Sequence, residues 1–184
     1  MHQVSIPQHI LDRVRAVRGR DHIFDSIDMS KTAHVIVDMQ VGFVAEGAPI
    51  EVPMTRQISD TINAISRTVR DNGGGTIVNV ASIAGRRGSS QVDYGASKAA
   101  VINLTTTLAR VMAPFNIRIN AVAPALVDAG MGPNIDPRAR QAFLEQTPLK
   151  RAATAHEVAD VITFLAGDRS TYVTGETIDI HGGL

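Results

Sequence analysis

Tyr94 and Lys98 stand four positions apart at the start of YGASKAAVINLTTTLARVM, where recurring Ala, Leu and Ile predict a helix from Tyr94 to about Met112. Residues at i and i+4 share one helix face, about a turn apart, so the ammonium is placed beside the phenol. A phenol ionises near pH 10 and is a poor proton carrier at neutral pH. An adjacent ammonium favours the phenolate and brings the group toward the working range. The pair is a candidate acid with its activator. The bland alternative is a surface helix with a solvated Lys and a half-buried Tyr.

Composition removes other chemistries. The chain contains no cysteine, which excludes disulfides, thiolate nucleophiles and thiolate metal sites and fits a reducing, cytoplasmic compartment. Six histidines show no ligand spacing such as H-E-x-x-H, so no metal is expected. Eighteen basic side chains balance eighteen acidic ones, and two Tyr with no Trp offer no stacking platform, so nucleic acid is not an expected partner. No apolar run reaches the roughly 18 residues a membrane-spanning helix needs, and no membrane partner is expected. At 184 residues with 44% hydrophobic content, the chain is long enough to support one core without staples.

The elements that must position the pair alternate along the chain. Ser5 and Gln8 form a capping pattern before an amphipathic helix over 6–18, and HVIVD predicts a first strand over 34–38. Ile58, Ile62, Ile65 and Val69 mark one face of a helix that Asn72-Gly73 stops. Strands are expected at 76–81, at 117–122 closed by Pro124, and at 177–180. Asp136-Pro137 opens a short helix to about Glu145, and Thr154 with Glu157 makes a capping box for another. Arg86 and Arg87, in the polar stretch before Tyr94, are expected to face solvent. Strands alternating with helices predict an α/β fold: a three-layer Rossmann-like domain of about four parallel strands in spatial order 1-2-3-4.

GGGTIVNVASIAG, YGASKAA, NIRINAVAPALVDAGM and YVTGETIDIHGG arrive in the order in which the C-terminal half of a short-chain dehydrogenase/reductase carries its motifs, and residues 73–184 resemble that family. The resemblance implies that Tyr94 exchanges a proton with the substrate oxygen, that Lys98 also holds the nicotinamide ribose, and that Ser82 hydrogen-bonds the substrate carbonyl. It implies Pro124 and Val127 as further cofactor contacts, Val127 through its backbone. It also implies NAD or NADP as cofactor, a small carbonyl or alcohol as substrate, and a homo-oligomer paired through the Tyr94 helix. Ala125 and Ala129 replace the Gly and Thr usual there. Residues 1–75, with HVIVDMQVGFV and GAPIEVP, resemble instead the isochorismatase-like hydrolases, a family of cysteine amidases, whose catalytic aspartate would be Asp38. A lone carboxylate at a strand end is otherwise a helix cap or loop anchor.

The chain is thus expected to be one domain over 1–184, a chimera of an isochorismatase-like strand-helix unit (1–75) and a dehydrogenase-like half (76–184), partial relative to either family. A dinucleotide needs a glycine-rich turn after the first strand. Here that strand runs into DMQVGF, so weak or absent cofactor binding is expected. Two functions compete: an NAD(P)-dependent oxidoreductase, impaired on the adenosine side, and a catalytically silent domain with a binding or assembly role. A cysteine-type hydrolase, lacking its thiol, comes third.

Overall fold

The computed structural model describes residues 33–37, 54–130 and 132–184, with isolated positions 8, 12, 13, 15, 16 and 19; side chains are described at those isolated positions, at Val35, and from residue 63 onward. Of the helix expected over 6–18, positions 8, 12, 13, 15 and 16 are helical, and Gln8 Nε2 donates to Asp12 Oδ1 at 2.8 Å. Ser5, Asp38 and the segment 39–53 lie outside the described residues.

The elements run β1 (Ala33–Val37), α1 (Met54–Asp71), β2 (Gly75–Val80), α2 (Ala84–Arg87), α3 (Val92–Met112), β3 (Ile117–Pro124), α4 (Pro137–Gln146), α5 (Ala155–Ala166) and β4 (Thr177–Ile180). The four strands form one sheet in the order β1-β2-β3-β4, all pairs parallel, as the alternation predicts. Two differences from the sequence reading stand out. Pro124 belongs to β3 and pairs with Ile180, which a proline tolerates at a strand's last position because no further ladder donor is needed there. The stretch after Ser82 contains a helical turn, α2, where a plain loop was expected.

Side-chain alternation along the strands makes two cores. On one face Val69, Ile77, Ala109, Ile117 and Ile119 pack with Leu108 and Met112, joining α1 and α3 to the sheet. On the other, Val78, Val122 and Leu165 pack with Val158, Val161, Ile162, Ile178 and Ile180, joining α5. Arg118 ties this second layer together: its guanidinium donates to Val173 O, Thr76 Oγ1 and Leu165 O at 2.9–3.0 Å. Burial pushes Arg118 below the ordinary arginine value, and Asp168 partly opposes that. Asn120, fully buried beside it, donates to Val173 O and accepts from Glu176 N.

Local chemistry starts the helices where the sequence places them. Asp136 accepts from the backbone N–H of Arg138 and Ala139, with Pro137 at the first helical position. Thr154 and Glu157 close a capping box, and Arg151 holds Glu157 from outside through both guanidinium nitrogens. That hydrogen bonding to Arg151, then to the Thr154 backbone, lowers the Glu157 carboxyl from its ordinary 4.5 to about 2. A carboxylate held down in the folded state adds stability above its unfolded value and loses it as acid rises toward the folded one. Stability should therefore fall between about pH 5 and about pH 2, and Glu157→Gln should flatten that part of the slope in unfolding curves. An equal slope in the variant would remove Glu157 as its source.

Candidate active site

Parallel strands end together, and the residues singled out by spacing collect where β2 and β3 end. Ser82 follows β2 by two residues and is buried; its Oγ accepts from Ala84 N at 3.2 Å and lies 3.5 Å from Pro124 O. The second contact is long for a hydroxyl donor, so the hydroxyl proton is only loosely committed. Pro124 carries its carbonyl to this point as the last residue of β3.

Helix α3 brings the other two groups. Its buried residues are Gly95, Lys98, Thr105 and Ala109, of which Thr105 and Ala109 meet the sheet and Gly95 meets Ala84 and Ser89. Lys98 is only 2% exposed, and its Nζ donates to Val80 O at 3.2 Å, two residues before Ser82. The same Nζ stands 5.7 Å from the centroid of the half-buried Tyr94 ring, within cation–π range. The bland picture of a solvated lysine on a surface helix does not describe this arrangement. Lower on the same face Asn79 Nδ2 donates to Thr105 Oγ1 at 3.0 Å, fixing α3 to β2.

Val127 lies past the end of β3, bridged in parallel to Ala153. Ala153 N donates to Leu126 O and Asp128 N donates to Ala153 O, so Val127's own N–H and C=O point away from Ala153. Gly132 closes the loop over it: a Cβ there would fall 1.7 Å from Val127 O, a distance no side chain survives.

The glycines Gly73, Gly74 and Gly75 sit at the opposite end of the sheet. Gly75 opens β2 and pairs with Ile117, the first residue of β3. They cannot cradle a phosphate beside Ser82 and Lys98. No group of three or more His, Asp or Glu suited to a metal occurs among the described residues, and no helix there is long and apolar enough to cross a membrane. A separate cleft of about 110 Å³, lined by Phe143, Thr147, Arg151, Ile180 and His181 among others, shares Ala125 with the end of β3 but none of Ser82, Tyr94 or Lys98.

Sequence reasoning overlooked what holds these groups in place. Gly85 in α2 lies on α3 so closely that a Cβ would stand 2.6 Å from Ala99 N and from Lys98 C. Arg86 is exposed as expected and also reaches β4: its Nη2 donates to Thr177 O at 2.9 Å and its Nε stands 2.8 Å from Asp179 Oδ1. Arg87 is exposed as expected. A lone glycine and one of two adjacent arginines carried no local signal, because their partners lie far along the chain.

Helices on both faces of a parallel sheet, with Ser and Tyr-x-x-x-Lys gathered at adjacent strand ends, define a Rossmann-like α/β domain. Residues 54–184 match the family model described as enoyl-(acyl carrier protein) reductase. The chain belongs to the short-chain dehydrogenase/reductase family. It is 49% identical over 111 residues to the 3-oxoacyl-(acyl-carrier-protein) reductase FabG of Thermotoga maritima, covering 60% of this chain and 45% of that protein. It is 34% identical over 193 aligned positions to the same-named protein of Chlamydia trachomatis serovar D, covering 90% of this chain and 77% of that one. The chain thus spans about half the length of several curated relatives, 45% and 54% for those of Thermotoga maritima and Aquifex aeolicus. Among solved structures, NAD+-bound xylitol dehydrogenase superposes with a TM-score of 0.65 at 30% identity, covering 95% of this chain and 73% of that one. The 3-oxoacyl-(acyl-carrier-protein) reductase of Brucella melitensis gives 0.64 at 31%, covering 93% and 66%.

The close seat of Gly85 on Lys98 is directly testable. Gly85→Ala should destabilise the fold by about 1–3 kcal/mol, since backbone must move to admit the methyl group. Thermal unfolding checks this; an unchanged midpoint would show that α2 can lift from α3 at no cost.

Proposed function

We propose that the chain is an NAD(P)-dependent oxidoreductase acting on a small carbonyl or secondary alcohol, with Tyr94 as the acid or base. The observation that carries the reading is the buried Lys98 ammonium beside the Tyr94 ring, at the strand ends where Ser82 also lies. A nicotinamide cofactor, when bound, supplies or accepts the hydride. In reduction, the Tyr94 hydroxyl gives its proton to the substrate oxygen, and the Lys98 charge stabilises the phenolate that remains. The Ser82 hydroxyl, weakly engaged by Pro124 O, turns to donate to the same oxygen. Lys98 and the backbone of Val127, which points away from Ala153, hold the nicotinamide side, next to Pro124. The relatives named as 3-oxoacyl-(acyl-carrier-protein) reductases favour a ketone, and acyl-carrier thioesters are the first substrates to assay.

Impairment belongs to this reading, and DMQVGF after the first strand supports it. The chimeric reading, with residues 1–75 an isochorismatase-like unit and 76–184 the dehydrogenase-like half, draws support from HVIVDMQVGFV; the 90% coverage by a reductase relative weighs against it. Under either origin no thiol is present for Asp38 to activate, so amide hydrolysis of the cysteine type is not proposed. The silent-domain alternative predicts no turnover and no cofactor binding.

Binding of NADH or NADPH by the 184-residue chain should be no tighter than about millimolar, because DMQVGF offers no glycine-rich turn to adenosine and pyrophosphate and each hydrogen bond forgone is worth roughly 1–3 kcal/mol. Tyr94→Phe should abolish carbonyl reduction and keep that binding, whereas Lys98→Met should lose both. Fluorescence titration and NADH oxidation assays decide: full activity in Tyr94→Phe would sink the assignment of the acid, and micromolar binding would overturn the impairment.

The proposal includes a homo-oligomer paired through α3. That helix turns small and polar residues to the sheet, while Leu104 and Val111 stay 50% and 57% exposed. Apolar surface left outside on a helix suits a second copy. Sedimentation at tens of micromolar, roughly where a weak interface already populates dimer, should show association; monomer alone would count against it.

A further inference from the structure

The proposed chemistry makes no use of the polar link between α2 and β4, although that link spans the site. Arg86 is four residues after Ser82 and one after Gly85. Its Nη2 donates to Thr177 O, 91 positions away, and its Nε stands 2.8 Å from Asp179 Oδ1. The Nε–H is not aligned on that oxygen, which therefore has charge contact without a hydrogen bond. Arg86 and Asp179 side chains are 40% and 28% exposed. An ion pair so open to water adds little to stability, so its consequence has to be sought in position.

The geometry leaves room for the link. Strand register puts Thr177 beside Ala121 and Asp179 beside Ala123, all four facing the α3 side of the sheet. Ala121 and Ala123 are fully buried and carry only methyl groups, so the Arg86 side chain can cross β3 to reach β4. Helix α2 is a single turn of four residues whose N-cap residue, Ile83, has no side-chain acceptor to offer, so its few local bonds need support from outside. It is held from two sides: Gly85 rests on Lys98 and Ala99, and Arg86 is anchored to β4. Ser82 depends on this turn, since Ala84 N, its first residue, donates to Ser82 Oγ.

We propose that Arg86, anchored by Asp179 and the Thr177 carbonyl, is a positioning residue that presses α2 onto α3 and so sets Ser82 and Lys98 relative to Tyr94. The inference rests on Ser82, Tyr94 and Lys98 forming the active site, but the geometry it asserts can be read without any turnover. Only Lys31, Lys98 and Lys150 are lysines, so 13C-lysine labelling gives three side-chain signals. Lys98, lying 5.7 Å from the Tyr94 ring, carries a ring-current shift and is assigned by its loss in Lys98→Met.

Arg86→Ala should move the Lys98 signal toward the free-lysine position while Lys31 and Lys150 stay put. Asp179→Asn, at the far end of the link, should move it the same way. Arg86→Lys should recover part of the shift, and Arg87→Ala, which removes the same charge one residue on, should leave it unmoved. In the assay with NADH, Arg86→Ala should lower kcat by about tenfold to a hundredfold, as misplacement of reacting groups does. A Lys98 signal indifferent to Arg86→Ala and Asp179→Asn overturns the inference, even if the melting midpoint falls, and so does unchanged kcat in an active enzyme. Absence of turnover in the unmodified chain would instead remove the oxidoreductase reading and leave the lysine spectrum to judge the link alone. Should Arg86→Ala fail to fold, Asp179→Asn decides by the same criterion.

Discussion

A charge taken out of water must be met by acceptors and by surroundings that close over it, and Lys98 at 2% exposed imposes that requirement on everything near it. The carbonyl of Val80 accepts from its ammonium, which requires α3 to lie low over the end of β2. The face of α3 that meets the sheet is consequently built from Thr105 and Ala109, small or hydrogen-bonded groups that let helix and sheet approach, while Gly95 lets Ala84 and Ser89 come close. Gly85 obeys the same constraint from the other side, because only a residue without a side chain fits against the Lys98 backbone.

The opposite layer of the sheet is specialised for holding the frame still. Arg118 and Asn120 project from β3 toward α5 and satisfy carbonyls of residues 165 and 173, polar groups that would otherwise be stranded where α5 ends and the chain turns into β4. Apolar contacts among Val78, Val122 and Leu165 fill the rest. With one end of the sheet closed in this way, the other end, where β2 and β3 finish, is left to Ser82, Pro124 and the loop of Val127. Structural charge and chemical charge are thus separated by the length of a strand.

The same polarity of the sheet bears on cofactor binding. Backbone donors suited to phosphate must lie at the carboxyl ends of parallel strands, where helix N-termini converge. The triple glycine before Thr76 is at the amino end and serves a turn from α1 into β2. Lys98 and the Val127 loop lie instead at the carboxyl end, where β2 and β3 finish.

Much of the molecule was legible because its determinants are close in sequence. The Thr154–Glu157 box, the Asp136-Pro137 helix start, the parallel order of four strands and the shared face of Tyr94 and Lys98 all follow from interactions within one turn or from the alternation of strand and helix. Even the residue types around Ser82 and Pro124 were readable as motifs. Tertiary structure alone decided how deep Lys98 lies, that Gly85 must lack a side chain, that the exposed Arg86 meets Asp179, and that Leu104 and Val111 remain outside. The physical reason is range. A cap or a helical face is written in neighbours a few positions apart, whereas burial and ion pairing depend on which distant segment arrives, and only the packed sheet brings β4 across β3 to the turn after Ser82.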